Sequence, residues 1–172
     1  RYMKQNNALD FDDLLFVTTK LLSQEEIRNR WQKRFGYILI DEYQDTNHAQ
    51  YLMAKYIAGK RQNICAVGDA DQSIYSWRGA DLRNIMDFQK DYPNAKIIKL
   101  EQNYRSTRTI LDAANAVIKN NIDRPAKNLW TENNTGEAIQ KYVSEDEHGE
   151  ADFIVETMMK EHRENDVPYG SM

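Results

Sequence analysis

Two adjacent carboxylates, Asp41 and Glu42, follow directly on the apolar run Tyr37-Ile38-Leu39-Ile40. A short uninterrupted apolar run with β-branched members predicts a strand buried on both faces, as in a parallel sheet. The carboxylates then fall at its C-terminal end, where open α/β sheets place their ligand chemistry. A Mg²⁺-nucleotide site needs such a pair: one carboxylate to hold the metal, and a neighbour to orient or deprotonate the attacking water. The plainer reading is a strand that ends in solvated acids, and the pair alone does not separate the two. A metal-nuclease cluster of Asp41, Glu42, Asp45 and Asp69 is a further reading. No Lys or His partner of the usual kind accompanies it, and it leaves the next motif unexplained.

That motif is Gly68 to Ala80, GDADQSIYSWRGA. Its composition is that of a loop, yet it holds Ile74, Tyr75 and Trp77. Large aromatics in a polar loop either plug it onto the domain or stack on a flat ligand. Base stacking on aromatics with Arg alongside grips single-stranded nucleic acid without reading its sequence, and Arg78 directly follows Trp77. Gln72 offers a neutral amide for a phosphate or an attacking water. Arg105 stands between an apolar run and a helical pattern, the same architectural place as Asp41. An Arg there is either a structural ion-pair partner or a fixed guanidinium that stabilises charge on a transferring phosphoryl group.

The elements that would position these groups can be read in order. Asp10 to Leu22 has helical spacing, with Phe11, Leu14, Leu15, Thr18, Leu21 and Leu22 on one face and acids at its first turn. Ser23 to Glu26 reads as a capping box for a helix through about Phe35. Asn47 caps a helix that stops at Gly59, and Ile64 to Val67 forms a second buried strand with Cys65 as core. Strand, helix, strand predicts a βαβ unit with a right-handed crossover. Asp81 to Tyr92 follows as a helix with Leu82, Ile85 and Met86 inward, then a strand at 97–100 and a helix through Ile110, Leu111, Ala114, Val117 and Ile118. The Asn-rich stretch 121–136 with Pro125 reads as loop, 139–143 as a strand, and Glu147 to Glu164 as an amphipathic helix with Ala151, Ile154, Val155 and Met158 inward.

The chain has 172 residues, 41% of them hydrophobic, and a net charge of −4, so no overall basic field points to nucleic acid. A local groove can still be basic or aromatic. One cysteine allows no internal disulfide and fits a reducing, cytoplasmic setting. Three scattered histidines offer no zinc spacing. No apolar run approaches a membrane span. The chain starts at Arg1 and ends just after a Pro-Tyr-Gly-Ser turn, as a piece of something longer would.

Taken together, DEYQDTN at 41–47, VGDADQSIYSWRGA at 67–80, LEQNYRS at 100–106 and ALDFDDLL at 8–15 resemble motifs II, III and IV, and the segment before motif II, of the superfamily 1 UvrD/Rep/PcrA-type DNA helicases. The PcrA branch is the nearest likeness. Order and spacing agree as well as content, and the likeness covers nearly the whole chain.

The resemblance implies that Asp41 serves Mg²⁺, with Glu42 beside it activating the water, and that Gln72 senses the γ-phosphate of ATP. It implies that Tyr75, Trp77 and Arg78 line a single-strand path, with Phe11 as a looser match. It implies that Tyr104 stacks on adenine and Arg105 is the finger. It also implies an incomplete α/β fold: RecA-like parallel sheet with flanking helices, residues 1–92 ending one RecA-like domain and 93–172 beginning a second. Partners would be single-stranded or partly duplex DNA and the remaining helicase domains, with no membrane. The family's GxxxxGK[ST] phosphate loop is absent from these residues. An open sheet edge invites self-association. The rival to an ATP-driven 3′-to-5′ translocase part is a non-catalytic module that binds single strands or a protein through the Tyr75–Arg78 loop.

Overall fold

The computed structural model describes residues 2–121 and 127–172, so Pro125 of the expected loop lies outside the described residues. Contacts divide the chain into two compact units, Arg1–Asn103 with Ala114–Trp130, and Tyr104–Ala113 with Thr131–Met172. The elements in order are α1 (Tyr2–Gln5), α2 (Phe11–Leu22), α3 (Glu25–Arg34), β1 (Ile38–Ile40), α4 (His48–Ala58), β2 (Ile64–Ala66), α5 (Arg83–Met86), α6 (Phe88–Asp91), α7 (Arg108–Ile118) and α8 (Glu147–Glu164).

In the first unit β1 and β2 pair in parallel, with Ile38 opposite Ile64, Leu39 opposite Cys65 and Ile40 opposite Ala66. The parallel strand-helix-strand unit expected from the sequence is therefore present. Expected burial on both faces is not. Side chains alternate along a strand, so Leu39 and Cys65 share a face, and both are exposed, Leu39 at 80%. Cys65 is thus not core. Among the described residues nothing covers that face, whereas Ile38, Ile40, Ile64 and Ala66 on the other are half-buried.

Helix starts follow local chemistry. Asp10 caps α2 by accepting from Asp13 N at 2.8 Å, and Asn47 caps α4 by accepting from Gln50 N at 3.0 Å, each with the reciprocal bond of a capping box. The box expected at Ser23 does not form. Ser23 Oγ instead donates to Lys20 O at 2.8 Å, closing α2, and Gln24 takes the N-cap position of α3 without a side-chain bond. On α2 only Leu22 is buried, while Phe11, Leu14 and Leu21 of the expected inward face are exposed.

The helix expected at 81–92 is two single turns broken at Asp87. Leu82 and Met86 are exposed, Ile85 is turned inward as expected, and Asn84, Phe88 and Tyr92 join it. Tyr43, 1% exposed, meets Phe88 edge-on with centroids 5.6 Å apart, and Phe88 packs on Tyr92 at 4.7 Å. This aromatic cluster is the packed centre beneath the carboxylate turn. Tyr51 Oη donates to Asp91 at 2.7 Å and Lys55 bonds both, which ties α4 to α6.

The strand expected at 97–100 has no sheet partner among the described residues, and Ile97, Ile98 and Leu100 are 62–79% exposed. An apolar run becomes a strand only when another strand lies beside it. Pairing appears two residues beyond it, as one parallel bridge between Gln102 and Trp130.

In the second unit the start of α7 is held by the chain around residue 134. Its Arg108 and Thr109 N–H groups donate to the carbonyls of Asn134 and Thr135, both at 3.1 Å. Leu111 and Thr131 are buried there. The expected strand at 139–143 is absent. Tyr142 stacks flat on Phe153 of α8, centroids 3.9 Å apart. That contact turns Phe153 inward and leaves Ala151, Ile154 and Val155 of the expected face exposed.

Candidate functional site

Asp41 and Glu42 leave the end of β1 and are both exposed. Asp41 Oδ1 accepts from the Glu42 N–H at 2.9 Å. Glu42 is in the left-handed region, φ 48°, ψ 43°, which costs a non-glycine residue about 1 kcal/mol or more and persists only where neighbours enforce it. The enforcing contacts are visible. Tyr43 N donates to Val67 O at 2.9 Å and Val67 N to Ile40 O at 2.8 Å, carrying the ladder past the strands.

Gln44 is the buried link beneath this turn, 1% exposed. Its Nε2 donates to Glu42 Oε2 at 2.7 Å, and its Oε1 accepts from Asp69 N at 2.9 Å. Gly68 leaves the space this needs, because a Cβ there would lie 2.6 Å from Gln44 Oε1 and 3.1 Å from Tyr43 N. The far end of the same loop is also tied to the carboxylate segment. Asn47 and Ala80 form an antiparallel bridge, and Asp81 N donates to Thr46 O at 3.0 Å. The buried Asn84 donates to Thr46 O at 3.0 Å and to its Oγ1 at 3.1 Å. The loop 68–81 is therefore anchored at both ends on residues 44–47.

Between those anchors stand two groups of side chains. Asp69 accepts from Asp71 N at 3.0 Å and from Gln72 Nε2 at 2.8 Å. Lys127 Nζ bonds Asp69 and lies 3.2 Å from Asp71 Oδ2. Partial burial pushes the Asp69 carboxyl up, but the bonds from Lys127, Gln72 and the Asp71 N–H outweigh it and hold it below the ordinary carboxylate range. Farther along, the Arg78 guanidinium lies 4.8 Å from the centroid of Trp77 and 5.7 Å from that of Tyr75, with the two rings 6.3 Å apart. Trp77 is 74% exposed, so the loop's aromatics do not plug it onto the domain. Gly79, φ 84°, closes the turn that presents them and borders an open groove of about 610 Å³ between α2 and α4.

The structure thus brings Asp41, Glu42, Gln72, Tyr75, Trp77 and Arg78 onto two loops tied together. Phe11 is 88% exposed and makes no ring contact with the cluster among the described residues. Tyr104 and Arg105 belong to the second unit. There Asn133 Nδ2 holds the carbonyls of Tyr104 and Ser106 at 3.3 and 3.1 Å, presenting both side chains on the surface. The nuclease reading fails: among the described residues no three His, Cys, Asp or Glu side chains converge on a metal position, and Asp69 is engaged by Lys127. Asp45 Oδ1 is instead buried with no hydrogen-bond partner among the described residues. Sequence reasoning passed over Gln44, Asn84 and Lys127. Gln44 stands inside a quoted motif, but nothing in its type signals burial, and Lys127 acts across 58 positions of chain.

Residues 1–93 match the family model of the UvrD/REP helicase N-terminal domain, and residues 98–171 that of the UvrD-like helicase C-terminal domain. The chain belongs to the UvrD/REP helicase family. It is 53% identical over 173 residues to the ATP-dependent DNA helicase PcrA of Staphylococcus aureus (strain Mu50), covering 100% of this chain and 24% of that protein. It is 57% identical over 151 residues to the protein of the same name from Bacillus subtilis (strain 168), covering 87% of this chain and 20% of the relative. The PcrA of Staphylococcus epidermidis is 51% identical over 173 residues, 100% of this chain and 24% of the relative. This member of the helicase family therefore spans about a fifth to a quarter of the length of those curated relatives. No helix among its described residues is long and apolar enough to cross a membrane.

Proposed function

We propose that this chain is the part of a cytoplasmic, ATP-dependent 3′-to-5′ DNA helicase that joins Mg²⁺-ATP hydrolysis to the grip on single-stranded DNA. The observation that carries the reading is the double anchoring of the 68–81 loop on the carboxylate turn, through Gln44 at one end and through Thr46 and Asn47 at the other. A loop fixed in this way cannot move independently of Glu42, so a change in nucleotide state is felt at Trp77.

The residues fit a Mg²⁺-nucleotide. Mg²⁺ takes one or two protein carboxylates and keeps water and phosphate for its other positions, and Asp41 with Glu42 is an exposed pair of that kind. Bound there, the ion would neutralise phosphate charge. Asp41 would hold it, Glu42 would orient the water and Gln72 would read the γ-phosphate, while Tyr104 would stack on the adenine and Arg105 would serve as the finger, in a second RecA-like domain beginning near residue 93. Tyr75, Trp77 and Arg78 stack on bases, with Phe11 along the same path. The DNA partner is single-stranded or partly duplex.

Replacing the matched segment of the Staphylococcus aureus relative with this chain tests the proposal. DNA-stimulated ATP hydrolysis by the chimera, abolished by Glu42→Gln and by Arg105→Ala, is the predicted result. An inactive but folded chimera would refute it. The alternative, a stand-alone module that binds single strands or a protein, rests on one observation: Arg78 lies 4.8 Å from the centroid of the largely exposed Trp77, with Tyr75 beside it.

A further inference from the structure

We propose that Lys127 is a positioning residue for Gln72, acting through Asp69. The inference rests on the helicase reading above only for what Gln72 touches, and on this chain's geometry for the rest. Gln72 bends back over a single 3-10 turn, its backbone N–H on Asp69 O at 2.9 Å and its side-chain Nε2 on Asp69 Oδ2 at 2.8 Å. One amide hydrogen is thereby fixed, while the second hydrogen and Oε1 remain on an exposed side chain. Asp69 is what aims Gln72.

Asp69 needs a reason to stay there. It stands beside a second, more deeply buried carboxylate, Asp71, whose side chain is 7% exposed. Two carboxylates two residues apart and partly withdrawn from water repel each other. Lys127 Nζ offsets that repulsion by bonding Asp69 Oδ1 and approaching Asp71 Oδ2, while Asn121 Nδ2 donates to the other oxygen of Asp71 at 3.4 Å. The oxygen of Asp69 that Lys127 takes is the one not used by Gln72, so each partner fixes a different edge of the carboxylate. The pair also matters for the ligand. An unpaired Asp69 would place bare negative charge beside the amide that meets a phosphate, while Lys127 cancels it. Lys127 falls in the stretch matched by the C-terminal family model and Asp69 and Gln72 in that matched by the N-terminal one. The lysine therefore makes the aim of Gln72 depend on a part of the chain far away in sequence.

The test reads Gln72 directly. In the 172-residue chain, the two side-chain amide protons of Gln72 are followed by NMR, assigned with Gln72→Glu. One proton shifted and protected from solvent exchange is expected, with that signature lost in Lys127→Met, lost in Asp69→Asn, and retained in Lys127→Arg. Backbone spectra report whether each variant is folded. If Lys127→Met does not fold, Lys127→Gln replaces it with the same expectation. In the chimera, Lys127→Met should lower ATP turnover roughly three- to thirtyfold, with Lys127→Arg restoring most of it. An unchanged Gln72 amide in folded Lys127→Met overturns the proposal even if the chimera is active. A lost amide signature in a chimera that never hydrolyses ATP leaves Lys127 as the aiming residue and sinks the helicase reading instead.

Discussion

Replacing Gln44 with Ala should destabilise the first unit by about 2.5 kcal/mol, and the number can be built from its two bonds. The bond from Nε2 to the ionised Glu42 is charge-assisted, a class worth roughly 1.5–3 kcal/mol, but Glu42 is exposed and regains water when the amide is gone. The low end, about 1.5 kcal/mol, applies. The bond from Asp69 N to Oε1 is different, because the donor is half-buried and truncation leaves it without that acceptor. An unsatisfied buried donor costs about 1–3 kcal/mol, and partial access to water again selects about 1 kcal/mol. With a urea m-value of about 2 kcal/mol/M, the midpoint should fall by about 1 M. The assay is urea unfolding of wild-type and Gln44→Ala chains followed by circular dichroism and by Trp fluorescence. Gln44→Glu is the informative companion: it keeps the shape but sets a carboxylate against Glu42 Oε2, and should be at least as harmful at neutral pH. A midpoint shift below about 0.2 M for both variants would refute the claim that Gln44 ties the carboxylate turn to the loop.

Other perturbations follow from the same contacts. Gly68→Ala should cost about 1–3 kcal/mol by thermal melt, because its Cβ meets Gln44 Oε1 at 2.6 Å and Ile85 Cδ1 at 2.9 Å in a packed site. The Asp69 carboxyl is held below its ordinary value near 3.8, so the folded state binds fewer protons than the unfolded one. Its contribution is present above that value and is lost as pH falls through the folded pKa. Asp69→Asn should flatten this part of the acid limb in melts taken from pH 6 to pH 2. Trp77→Ala should weaken binding of oligo-dT by about 1–3 kcal/mol per lost stack, seen as fluorescence anisotropy of a labelled strand, while leaving the melting temperature unchanged because Trp77 is largely exposed. Without the phosphate loop, the chain alone should hydrolyse no more ATP than its Glu42→Gln control.

What could be read from the sequence was what short-range chemistry decides. Asn47 announced its helix because a cap and its third neighbour settle the matter locally, and the acids at 10–13 marked the start of α2, where Asp10 proves to be the cap itself. The apolar runs at 38–40 and 64–66 paired as expected because a helix of the right length returns the chain alongside itself. The failures share a cause. Ile97 to Leu100 and Ile139 to Val143 have strand composition, but a strand is a property of two segments, and no partner lies beside either among the described residues. The same holds for Leu39, Cys65 and the bare face of α2, whose apolar patterns call for covering elements that these residues do not supply. At the site, Asp41, Glu42 and the aromatic loop were visible as exposed chemistry at element ends. The groups that hold them, Gln44, Asn84 and Lys127, act through burial and long-range contact, which residue type alone does not encode.

The most direct test of the account is strand separation by the chimera that carries this chain in the Staphylococcus aureus relative, on duplexes with a 3′ or a 5′ single-stranded tail. ATP- and Mg²⁺-dependent unwinding of the 3′-tailed duplex, lost with Glu42→Gln and strongly reduced with Trp77→Ala, is the predicted result. ATP hydrolysis that proceeds without unwinding, or unwinding that is indifferent to Trp77 and Glu42, would contradict the claim that the carboxylate turn drives the stacking loop.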